Sequence, residues 1–149
     1  MDTEFEAYLE RLRAHRAELG DAMHALDDAL ALPAGLGELW RRRVRAALTE
    51  LAHDLRDHVE LTETGGLYVD LRARAPRLAS AVETQLADHA YFRDEVARLL
   101  DARDAGQACV DPIRHRADVG QLLARVARHR QRGSDLVYEA YEVDLGGSG

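Results

Sequence analysis

Four stretches of the chain carry an apolar residue every three or four positions, and glycine or proline brackets them. That spacing lines the apolar side chains along one face of an α-helix, and such a helix has to bury its stripe against others. The first stripe is Phe5, Leu9, Leu12, Leu19, Met23, Leu26 and Leu30, following Thr3 and Glu6 in capping-box spacing. "LPAGLG", Leu32 to Gly37, stops it. The second stretch runs from about Leu36 to Glu63 with Trp40, Val44, Leu48, Leu51, Leu55 and Val59 on one side, and Gly65-Gly66 ends it.

Pro76 suits a first helical position, and Leu78, Val82, Leu86, Val96 and Leu99 form the third stripe. "DARDAGQACVDP" reads as a loop, with Asp111-Pro112 giving a cap and a first-turn proline. The fourth helix carries Val119, Leu122, Val126, Leu136, Val137 and Ala140 and ends at "LGGSG". "LYVDLRARA" is either plain connection or a short extra helix between helices two and three. Four long amphipathic helices on short links predict an all-α, antiparallel up-down four-helix bundle, one domain over residues 1–149.

Composition narrows the function. A formal net charge of −7 argues against a nucleic-acid role, which needs a positive footprint. All 20 basic residues are Arg, which reads as the codon bias of a GC-rich bacterial genome, and Arg41-Arg42-Arg43 reads as a solvated helix face. Cys109 is the only cysteine, so no intramolecular disulfide forms and a reducing compartment fits. The acidic, polar start "MDTEFEAYLE" lacks the pattern of a secretory leader, and no apolar run approaches a bilayer span. A cytosolic protein with no membrane partner is expected, as monomer or homodimer.

The seven histidines carry the most chemical information. Stepping about 100° per residue places His58 inside the second stripe, one turn past Leu55, and His89 between Val82 and Val96. His129 lines up with Leu122, Val126 and Leu136, and His15 lies on the flank of the first stripe. His24 and His53 point to solvent. One inward histidine per helix is thus expected. In an antiparallel bundle, with a rise of about 1.5 Å per residue, the four fall at roughly one depth. Four rings buried without partners would cost about 1–3 kcal/mol each, and a metal ion removes that cost by taking a lone pair from each.

With "AHRAEL" supplying His15, "HVELTE" His58 and Glu63, "DHAYF" Asp88 and His89, and "RHRQRGSDL" His129, the sequence resembles the hemerythrin-type (HHE cation-binding) proteins. The ending "DLVYEAYEVDLGG" is similar to the tails of such domains from GC-rich bacteria. The resemblance implies a non-haem iron centre, mono- or di-iron, in the bundle core, with His15, His58, Glu63, His89 and His129 as metal ligands. It also implies a small diatomic or peroxide ligand that the protein carries, senses or scavenges. Zinc would tolerate the same donors.

The pattern departs from the family at three places. Thr62 stands four residues after His58, where a bridging Glu is expected, and Gln85 stands where a second helix-three histidine would be. Gly133 and Ser134 occupy the carboxylate positions after His129, leaving Glu63, Asp88, Asp135 or Glu139 to complete the set. No nucleophile–base pair and no phosphate-binding loop stands out, so whether the chain is an enzyme stays open. The alternative is a metal-free or degenerate bundle acting as a structural or partner-binding module, in which the inward histidines hydrogen-bond Asp54, Gln85, Asp88 or Thr62.

Overall fold

The computed structural model describes residues 3–104 and 111–143, and every regular element among them is helical. The helices are α1 (Thr3–Ala31), α2 (Glu38–Thr64), α3 (Leu67–Arg74), α4 (Ala79–Asp104) and α5 (Pro112–Val137). Single 3₁₀ turns at Ala34–Leu36 and Pro76–Leu78 lead into α2 and α4, and a π-helical turn, Tyr138–Val143, follows α5. Pro76 therefore opens the 3₁₀ turn, and the α-helical hydrogen bonding starts at Ala79. At the start of α5, Asp111 caps as its sequence suggests, its side chain accepting from the Ile113 amide at 3.0 Å. Cys109 and the final glycines lie outside the described residues.

Two glycines make the corner after α2. Gly66 has φ +92°, a conformation that only glycine adopts without strain. Gly65 is needed for closeness, because a Cβ there would overlap the Leu61 carbonyl oxygen and the Tyr8 ring. That gap lets the Tyr8 hydroxyl donate to the Leu61 carbonyl at 2.6 Å, pinning the end of α2 to the start of α1. The corner then releases the chain into α3, the short helix that the sequence left open. Leu67, Tyr68 and Leu71 of α3 are buried, while Val69 is 69% exposed.

The long helices touch in a ring, α1 with α2, α2 with α4, α4 with α5 and α5 with α1, and α3 packs on α2 and α4. Hydrogen bonds fix the levels. Arg116 donates to the Leu32 carbonyl at 2.9 Å, Arg45 to the Leu100 carbonyl at 3.0 Å, and Arg16 to the Ser134 hydroxyl at 2.7 Å.

The interior is not continuous. One apolar cluster gathers Leu19, Leu26, Trp40, Leu48, Leu55, Phe92 and Val126, and a second gathers Leu9, Leu67, Leu71, Val82 and Leu136. On each long helix a histidine falls between the two: His15 after Leu9 and before Leu19, His58 after Leu55, His89 before Phe92, His129 after Val126. The break in the apolar interior is a polar layer, and those rings fill it.

Candidate metal centre

Three rings converge in that layer. The ring centroids of His58 and His89 lie 5.3 Å apart, those of His58 and His129 5.1 Å, and those of His89 and His129 5.0 Å. One nitrogen from each ring lies within 4.8 Å of the others, an arrangement that can hold a metal ion. Closest are Nε2 of His58 and Nε2 of His129, 3.0 Å apart. At a bond length of about 2.1 Å, an ion touching both would subtend an angle of about 90°, within the range of real coordination spheres.

Carboxylates hold the outer nitrogens. Nδ1–H of His129 donates to Asp88 Oδ2 at 2.9 Å, and Arg125 donates to Asp88 Oδ1 at 3.2 Å while its guanidinium lies 3.9 Å above the Tyr91 ring. Nδ1–H of His89 donates to Glu63 Oε1 at 3.3 Å. With the proton on Nδ1 in each case, a neutral ring keeps its lone pair on Nε2. Nε2 of His89 stands 3.3 Å from the Tyr68 hydroxyl. Gln85 donates to the His129 carbonyl at 3.2 Å, and Thr62 donates to the His58 carbonyl at 2.7 Å.

The electrostatics keep these rings uncharged. Burial, reinforced by the neighbouring His129, His89 and His15, pushes His58 down to about 2. Burial pushes His129 down to about 4 against the opposing pull of Asp88, and lowers His89 against that of Glu63. Neutral imidazoles with lone pairs directed at one point are the form in which histidine binds metals. A borderline nitrogen set with carboxylates on its outer edge fits iron or zinc.

The remaining expected ligands take other places. His15 stacks on His58 with centroids 5.7 Å apart, outside the close trio, and its buried Nε2 has no hydrogen-bond partner. Glu63 reaches Nδ1 of His89, leaving Nε2 beside Tyr68. Asp88 serves His129 in the same way. Asp135 is exposed and accepts from Gln131, and Glu139 is exposed and pairs with Arg77 at 3.9 Å. His24 and His53 are exposed.

Sequence reading missed Tyr68 and Arg125. Thr62 and Gln85, one helical turn from His58 and His89, share the inward face at 2% and 1% exposure, and they bond the histidines through backbone carbonyls rather than ring nitrogens. No local signal points to Tyr68, which depends on α3 folding back over the layer.

Two cavities reach the rings. One of about 210 Å³ between α1, α2 and α5 has His58 and His129 in its lining, with Arg13, Arg16, Arg130 and Ser134. Another of about 580 Å³ lies between α2 and α4, mostly apolar, and includes Glu63 and His89.

No protein-family model matches this chain, and no curated protein or solved structure is significantly similar to it. Among the described residues no helix is long and apolar enough to cross a membrane.

Proposed function

We propose that this is a hemerythrin-like, metal-binding protein whose ion is a single non-haem iron held by His58, His89 and His129. The observation that carries the reading is the convergence of three uncharged rings on one point, with two of them fixed from outside by carboxylates. The ring of helix contacts and the levels set by Arg116–Leu32, Arg45–Leu100 and Arg16–Ser134 support an antiparallel, up-down four-helix arrangement around it. His15, with its unpartnered Nε2 against His58, is the nearest reserve donor.

When bound, the iron supplies an open coordination position for oxygen, nitric oxide or peroxide. The chain's own part is to keep the lone pairs of His129 and His89 on Nε2 through Asp88 and Glu63, and to admit a small ligand through the cavities beside α1 and α4. A second ion finds few donors, because Thr62, Gln85 and Gly133 stand where the resemblance asks for ligands. Elemental analysis of protein expressed with added iron tests the reading. About one iron per chain is expected, and no stoichiometric metal of any kind would overturn it.

A metal-free structural bundle is the second reading, favoured by one observation. His58 and His129 already satisfy each other at 3.0 Å, and Asp88, Glu63 and Tyr68 complete the network without an ion.

A further inference from the structure

Given the iron site proposed above, on which this rests, we propose that Tyr68 is a fourth protein ligand, binding the ion through its phenol oxygen. Tyr68 comes from α3, is 5% exposed, and places its hydroxyl 3.3 Å from Nε2 of His89. Nδ1 of the same ring is taken by Glu63, which leaves Nε2 as the nitrogen with a lone pair to offer an ion. In the protein without metal, the Tyr68 hydroxyl donates to this lone pair. An ion that binds His89 takes the lone pair itself and comes to lie beside the phenol oxygen.

The spacing already suits shared ligation. A nitrogen and an oxygen each about 2.0–2.1 Å from one ion and separated by a tetrahedral angle stand about 3.3 Å apart. Tyr68 gives up its hydrogen bond to His89 and a long contact of 3.5 Å to Gln85 Oε1, and its proton passes to water.

Charge points the same way. Three neutral imidazoles bring no negative charge to a di- or trivalent ion, while Glu63 Oε1 and Asp88 Oδ2 are engaged on Nδ1 nitrogens and Asp88 Oδ1 on Arg125. Among the described residues, Tyr68 is the one side-chain oxygen hydrogen-bonded to an Nε2 of the three rings. The other tyrosine hydroxyls with an assigned partner go elsewhere, Tyr8 to the Leu61 carbonyl and Tyr141 to Asp70. Coordination as phenolate makes the site a three-histidine, one-tyrosine centre, distinct from a set completed by carboxylates.

The experiment loads full-length protein with ferric iron and records iron per chain, the visible spectrum and resonance Raman scattering. Wild type is expected to show a phenolate-to-iron charge-transfer band with tyrosinate ring modes. Tyr68→Phe should bind iron at least about tenfold more weakly, a loss typical even of outer partners, and should lack the band. Tyr141→Phe should keep it. Stoichiometric iron in wild type without those ring modes, or a band that survives in Tyr68→Phe, overturns the ligand role alone. Absence of bound iron in wild type overturns the iron site and the ligand role together. Absence of tyrosinate modes from the wild-type Raman spectrum overturns the ligand role even if the Phe variant does not fold.

Discussion

His129 has all of its ring employed: Nδ1 on Asp88, Nε2 facing His58, and an edge-on contact with Phe92 at 5.1 Å. Asp88 is in turn held by Arg125, so the orientation of one imidazole is fixed through three residues. Asp88→Asn replaces the carboxylate that keeps the proton on Nδ1 by a neutral, weaker acceptor and is expected to weaken metal binding about 10- to 100-fold, measured by chelator competition. His58→Ala and His129→Ala should each empty the site in elemental analysis, whereas His24→Ala, at an exposed position, should not. Equal metal in all three variants would dismiss the ligand assignment. The inward direction of His58, His89 and His129 was legible in the sequence because periodicity alone fixes it. Which outer partner each ring takes was not. Asp88 adjoins His89 in sequence yet serves His129 across the helix pair, while His89 turns to Glu63 on α2, and pairings between helices leave no trace in local spacing.

At the level of the element, the corner after α2 shows two uses of glycine that a sequence motif cannot separate. Gly65 has helical backbone angles, with φ −76°, so its identity is set by the Tyr8 ring and the Leu61 carbonyl rather than by conformation. Gly65→Ala should therefore destabilise the protein by about 1–3 kcal/mol through overpacking. Gly120, inside α5 with no heavy atom near the position of an added Cβ, is the contrasting case. Gly120→Ala should stabilise by about 0.5–1 kcal/mol, read from chemical denaturation alongside the first variant. A loss at Gly120 comparable to that at Gly65 would contradict the packing described. The four long helices were readable from their stripes and breakers. α3 was ambiguous because its buried residues, Leu67, Tyr68 and Leu71, span one turn, too short for a period to declare itself.

For the molecule as a whole, the polar layer ties stability to pH. His58 and His129 titrate near 2 and 4 in the folded protein, against about 6.5 in an unfolded chain. Their contribution is fully present above about pH 6.5, and it is lost as the pH falls from there toward the folded values, because only the unfolded chain accepts the protons. Metal-free protein should lose up to about 1.4 kcal/mol per pH unit for each such ring between about pH 6.5 and 4.5. His58→Leu should flatten that slope, and an unchanged slope would show that other groups govern acid sensitivity. The two cavities add a kinetic consequence. Both open at seams between helices, one beside α1 and α5 and the other beside α2 and α4, so a solute can meet the rings while every helix stays docked. An ion held there is expected to exchange by direct attack. Its loss to excess chelator should rise with chelator concentration and outrun global unfolding, making occupancy follow the metal supply around the protein within the lifetime of a single folded chain.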